Sequence, residues 1–184
     1  MARKENQRIA LTRRLLQEGL LRLLAHEKLE NISVTALCKE AGINRATFYN
    51  HYTSPTMLLE EMEQNLVKEL EKITDYPNTL EEILDQTEKC LILLKANAML
   101  FQILVSYHID RDLEEIIEQT AQHYDTHRIN RMKNELDSDT VHLVSSYMYN
   151  GCYNLIREWI VREIDKTPRE IAELLVSIVN KDYL

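Results

Sequence analysis

Within seven residues the chain places a guanidinium, a hydroxyl, a phenol, an amide and an imidazole: Arg45, Thr47, Tyr49, Asn50 and His51. These groups suit recognition better than catalysis. A guanidinium or an amide can grip a base edge through two parallel hydrogen bonds, and hydroxyls or phenols suit phosphate oxygens. On one helix they would form a polar side, with Ala46 or Thr47, Phe48 and Tyr52 on the buried side. The preceding residues are fit to position such a helix. Val34, Leu37, Cys38 and Ala41 recur at helical spacing, Gly42 can take the positive φ that ends a helix sharply, Ile43 returns to the core, and Asn44 is a good N-cap. A helix, a glycine turn and a second helix with a polar face make the helix-turn-helix pattern, whose second helix enters a DNA major groove. Many helical proteins also contain a Gly-turned helix pair with no such role. Ser54 and Pro55 follow at once as N-cap and first residue of another helix.

Other reactive groups form no comparable constellation. His123 and His127 lie one helical turn apart and could bind zinc with Asp125 or Glu118, but no third or fourth ligand is evident, and no metal is assigned. Cys38, Cys90 and Cys152 fall on apolar stripes, where inert buried thiols are the default. No phosphate-binding glycine loop, nucleophile elbow or paired-carboxylate signature is present, so the chain reads as a non-enzyme without cofactor.

Composition sets the frame. Three Gly and three Pro in 184 residues supply too little turn punctuation for sheets, and helix formers dominate, which predicts an all-α protein. An odd number of cysteines without metal-type spacing fits a reducing cytoplasm. The start Met1-Ala-Arg-Lys-Glu is too charged for a signal peptide, and no apolar run approaches membrane-spanning length, so no membrane partner is expected. The net charge of −8 is unevenly spread: residues 1–52 hold nine Lys/Arg against five acids, and the remainder 13 against 25. A basic head on an acidic body suits a nucleic-acid partner at the N-terminal end.

About nine helices are predicted. The first runs from about Lys4 to Ala25 with Ile9, Leu16, Leu20, Leu23 and Leu24 inward, interrupted by Gly19 for no reason visible in the sequence. Arg3, Lys4 and Arg8 form a basic, flexible arm. After the helix pair, Pro55 to Ile73 carries Leu58, Met62, Leu66, Leu70 and Ile73 on one stripe. The loop 74–79 marks the clearest boundary, giving a head over 1–53, a linking helix over 54–73 and a body over 74–184. Thr79 with Glu82, and Thr167 with Glu170, read as capping boxes. Between them come helices at 80–94, 97–105, 110–133 and 139–164, with a last one ending near Asn180. The first of these is expected to turn Leu80, Ile83, Leu84, Thr87, Leu91 and Leu94 inward. Val141, Val144, Met148, Cys152, Leu155 and Trp159 make one apolar stripe, and Ile171, Leu174, Leu175 and Ile178 another. Both can pack on the body itself, yet they exceed what one small body obviously needs, and Ser145, Ser146 and Gly151 would let a further helix approach closely. Phe101, Tyr107, His108, Tyr124, Met148 and Tyr149 can line an apolar cavity with polar tips, or simply fill a core.

The run from about Asn31 to Leu59 resembles the DNA-binding segment of the TetR family of bacterial transcription regulators. The resemblance is carried by Val34-Thr35-x-Leu37, Glu40-Ala41-Gly42-Ile43, Arg45-x-Thr47-Phe48-Tyr49, His51-Tyr52 and Leu58-Leu59. It departs at Pro55, where the family usually has a phosphate-contacting Lys. A weaker resemblance, through Gly151, Ile156, Trp159-Ile160 and the Thr-Pro-x-Glu-Ile-Ala run from Thr167, points to a short C-terminal branch near the dihydroxyacetone-operon regulators. The resemblance implies a homodimer on a palindromic double-stranded operator, most simply a repressor, with an unidentified small-molecule effector in the body. DNA would be met by Arg3, Lys4, Thr35, Asn44, Arg45, Thr47, Tyr49, Asn50 and His51. A two-fold four-helix interface would use Val144, Met148, Cys152, Leu155, Trp159, Ile171, Leu174, Leu175 and Ile178. A head weakened by Pro55 would instead suit a co-regulator acting mainly through a protein partner.

Overall fold

Leu16, Leu20 and Leu24 recur four apart along α1 (Ala2–Leu24) and are all buried, since residues one turn apart share a helix face. The computed structural model describes residues 2–73, 79–107, 112–115, 117, 134 and 136–180, with backbone alone for 2–6 and 180. The helix already begins at Ala2, so the basic segment expected as a flexible arm is helical. Ile9, expected inward, is exposed together with its neighbours from Gln7 to Leu11.

A 3-10 turn, Leu29–Asn31, leads to α2 (Val34–Ala41), whose N-cap Ser33 accepts from the Ala36 amide at 3.1 Å. Leu37, Cys38 and Ala41 are its buried face. Gly42 then sits in the left-handed region at φ 66°, and the Ile43 amide donates to the Cys38 carbonyl at 2.9 Å, the bond pattern that closes a helix over a glycine. Gly19 now has a reason. A Cβ there would meet the Ala41 Cβ, N and Cα at 3.1, 3.2 and 3.3 Å, so α1 and α2 cross with their backbones nearly in contact. The Arg22 guanidinium pairs with Glu40 beside this crossing.

The short α3 (Arg45–Tyr49) follows, and α4 (Pro55–Ile73) is capped by Ser54, whose Oγ accepts from the Met57 amide at 3.2 Å. Leu58, Leu59, Met62, Leu66 and Leu70 form the buried stripe of α4.

In the rest of the chain, α5 (Leu80–Ala96) opens on the reciprocal Thr79–Glu82 capping box, both bonds at 3.2 Å. Leu91 and Leu94 are buried as expected, but Leu80 is 58% exposed and Ile83, Leu84 and Thr87 are half-buried. The axis turns by 79° at Asn97 into α6 (Ala98–Tyr107), which buries Leu100, Phe101, Ile103, Leu104 and Val105. Asp137 caps α7 (Ser138–Val161), accepting from the Asp139 and Thr140 amides; the Thr140 hydroxyl, with these amides, holds the Asp137 carboxyl below its ordinary range. The Thr167–Glu170 box opens α8 (Pro168–Asn180), with Glu170 accepting from the Thr167 amide at 2.8 Å. α8 packs chiefly on α5, and Arg169 reaches across to Asp85 at 2.9 Å and Glu88 at 3.0 Å. The Lys166 carbonyl accepts from both Trp159 Nε1 (3.0 Å) and Lys95 Nζ (3.1 Å), and Lys95 also lies 4.5 Å over the indole.

Every regular element among the described residues is helical: the eight α-helices given above, one 3-10 turn and helical residues at 112–115, 117 and 134, with no strand. The helix expected over 110–133 falls mostly outside the described residues, as do loop positions 74–78. The chain divides into two compact units, 1–65 and 66–184, and the divide falls within α4. No single helix among the described residues is long and apolar enough to cross a membrane.

Candidate nucleic-acid interface

The recognition element is small and held from one side. Asn44 Oδ1 accepts from the Ala46 amide at 2.8 Å, so this side chain is spent largely on starting α3. Phe48 is fully buried, with the Tyr49 ring edge-on at 5.6 Å and the Tyr52 ring tilted at 5.7 Å. With Phe48 as anchor, Arg45, Ala46, Tyr49 and Asn50 are left exposed, while Thr47 and His51 are half-buried at the edges. Ala46, one candidate for the buried side, therefore faces solvent. Thr35 is exposed in the first turn of α2. Arg45 lies close enough for its charge to act on Cys38, whose thiol is nonetheless pushed up by burial. A guanidinium, a phenol and an amide thus stand together on a helix behind a glycine turn, the arrangement needed to read a groove. The side chains of Arg3 and Lys4 lie outside the described residues.

Pro55 is buried at the first position of α4. It contributes neither charge nor N–H, so the loop side of the head lacks the cation that the family pattern places there.

The body residues divide. Phe101 and Tyr149 are buried on α6 and α7, which pack against each other, whereas Tyr107 and Met148 are half-buried; His108 and Tyr124 lie outside the described residues. His123 and His127 also lie outside them, and among the described residues no cluster of three or more His, Cys, Asp or Glu is placed to hold a metal ion.

The nine residues expected on a dimer face fall into two groups. Cys152, Trp159, Ile171 and Leu175 are buried within this one chain, while Val144, Met148, Leu155 and Ile178 are half-buried and Leu174 is 45% exposed. On a 3.6-residue wheel, α7 carries two adjoining stripes. One, with Val141, Tyr149, Cys152, Tyr153, Ile156, Trp159 and Ile160, is the chain's own core; the other, with Val144, Tyr147, Met148, Gly151 and Leu155, flanks it and stays partly open. Leu143 (68% exposed) was not singled out from the sequence, and Tyr147 (78%), one of the body tyrosines that could line a cavity, instead faces solvent one turn from it, outside the main stripe. The contact of Arg13, Tyr52 and Glu61, described below, left no signal, because it joins residues with no common period.

A capped helix pair with a solvent-facing polar helix, joined to a helical body, defines a helix-turn-helix transcriptional regulator. The sequence profile of a TetR-type transcriptional regulator C-terminal region matches residues 81–181. The chain belongs to the TetR family of transcriptional regulators. It is 32% identical over 91 residues to the uncharacterized HTH-type transcriptional regulator YxbF of Bacillus subtilis (strain 168); the match covers 48% of this chain but only 24% of that longer relative. Its fold is similar to that of a TetR transcriptional regulator from Streptococcus agalactiae 2603V (TM-score 0.68, 18% identity, 98% of this chain and 100% of that one). It is also similar to that of the dihydroxyacetone kinase operon activator DhaS (TM-score 0.59, 18% identity, 91% and 93% covered).

Proposed function

We propose that the chain is a cytoplasmic, homodimeric regulator that binds a palindromic operator and represses transcription until a small molecule in its body releases it. The observation that carries this reading is the exposed set Arg45, Tyr49 and Asn50 on a helix anchored by buried Phe48, in the basic part of an acidic chain. Arg45, Asn50 and His51 reach base edges; Thr35, Thr47, Tyr49 and the basic start of α1 hold phosphates. Residues 1–53 are the DNA-binding part, 54–73 the link and 74–184 the part that dimerises and binds the effector, around Phe101, Tyr107, His108, Tyr124, Met148 and Tyr149. Dimerisation uses the open flank of α7 with Leu174 and Ile178 of α8, so that two heads meet half-sites roughly 34–36 Å apart. Because α4 carries residues of both units without a break, a turn of its C-terminal end is passed to its N-terminal end.

Arg45→Ala and Tyr49→Ala test the reading on a duplex selected by the wild-type protein from a random pool. Arg45→Ala should cost about 1–3 kcal/mol and relax preference at one operator position, whereas Tyr49→Ala should weaken all sequences nearly alike. An unchanged preference in Arg45→Ala would show that the recognition face is elsewhere. A reporter fused to the selected site reads the sign of regulation. Buried, uncharged Pro55 supports one rival, a co-regulator working mainly through a protein partner; a purified chain that selects DNA only when a second protein is added would establish it.

A further inference from the structure

Three elements of the head meet at one carboxylate oxygen. Tyr52, just beyond α3, donates its hydroxyl to Glu61 Oε1 of α4 at 3.3 Å, and Arg13 Nη1 of α1 lies 3.3 Å from the same oxygen. Tyr52 is only 1% exposed, and its ring packs on Phe48. A phenylalanine would fill that space equally well. A hydroxyl carried into the interior instead needs an acceptor, which ties the residue to one place rather than merely to an apolar surface. Burial, and then the charge of Glu61, push the Tyr52 phenol up to about 12, so it remains a donor at neutral pH. The Tyr52 amide donates to the Phe48 carbonyl at 2.9 Å, so the hydroxyl moves with the recognition helix. Glu61 is part-exposed and Arg13 about half exposed, so the ion pair by itself contributes little stability.

We infer that Glu61 is a positioning residue for DNA recognition: held by Arg13 of α1, its carboxylate fixes the Tyr52 hydroxyl and thereby the pose of α3. This inference rests on the DNA-binding reading above. A rotation of α4 that carries Glu61 away from Tyr52 releases the recognition helix without unfolding it.

The full chain is compared with Tyr52→Phe, Glu61→Ala and Glu61→Gln. Affinity is measured at fixed salt for a duplex selected by the wild-type protein and for a scrambled duplex of equal length, alongside thermal melting and hydrogen exchange of the 45–52 amides without DNA. Tyr52→Phe and Glu61→Ala should lower the selected-to-scrambled affinity ratio about tenfold, with scrambled binding within about twofold of wild type. Exchange over 45–52 should quicken while that of α2 does not. Glu61→Gln, whose amide oxygen still accepts from Tyr52, should recover most of the ratio. An unchanged ratio, or one that falls only in step with melting temperature, overturns the inference. If the wild-type chain selects no duplex, the DNA reading fails on its own account, and unchanged exchange over 45–52 in Tyr52→Phe then overturns the positioning of α3.

Discussion

The two units bury their apolar residues by different rules. In the head, each helix has one buried face: Leu16, Leu20 and Leu24 on α1, Leu37, Cys38 and Ala41 on α2, Phe48 on α3, Leu58, Leu59 and Met62 on α4. On α3 what remains is mainly polar, while Ile9 and Leu11 of α1 and Met57 of α4 stay exposed as single apolar residues. In the body, α7 carries a second apolar stripe beside its core stripe, and α8 leaves Leu174 exposed and Ile178 half-buried. A helix that serves one partner shows its role as a single periodicity. A broad apolar arc such as that of α7 does not show by periodicity alone which part of it the chain will cover; that depends on where its packing partner lies.

The largest effect should come from the anchor of the head. Phe48→Ala should cost about 3–5 kcal/mol, enough to unfold much of a small unit. Denaturation followed by circular dichroism should then show a part of the helical signal lost early, with fluorescence of the body's single Trp159 lost at the wild-type midpoint. Simultaneous loss of both signals would mean that head and body fold as one, and the contrast between them would have no thermodynamic meaning.

A smaller effect, of mixed sign, tests the second stripe. A Cβ at Gly151 would meet nothing within 4 Å in this chain, so Gly151→Ala should stabilise the monomer by about 1 kcal/mol through helix propensity. If the flank of α7 meets another copy closely, the same methyl group should weaken dimerisation roughly tenfold, about 1.4 kcal/mol. Sedimentation of wild-type and variant chains, against twice the 21.7 kDa chain mass for the dimer, decides it. Unaltered association would remove Gly151 from the interface.

The smallest effect concerns the cap that starts α8. Lys166, and then the Thr167 amide, hold the Glu170 carboxyl down to about 2 from its ordinary 4.5. A carboxylate depressed by folding adds stability that is complete above its unfolded value and lost as pH falls through the folded one. Wild type should therefore melt slightly higher than Glu170→Gln at pH 5–7, and the gap should close toward pH 2. A gap independent of pH would mean that the cap works without its charge.

Much of the head was legible because its signals are local. Gly42, Asn44 and Ser54 each act on amides or dihedrals within a few residues, and all three occupy the structural roles their types suggest. Gly19 was not legible, since its reason is Ala41, across a helix crossing. In the body, both capping boxes were legible, but Leu80 was misjudged: periodicity marks which residues share a face, not whether another element covers it.

The amino-acid sequence by itself determined the helical class, the capped starts at Asn44, Ser54, Thr79 and Thr167, the glycine turn and the polar character of α3, because each follows from steric and hydrogen-bonding preferences within one or two helical turns. The tertiary structure alone decided which apolar stripe of α7 the chain keeps for itself, that α1 and α2 cross at a glycine, and that Arg13, Tyr52 and Glu61 meet. Those depend on where distant segments pack, and side chains brought together from separate helices share no spacing along the chain.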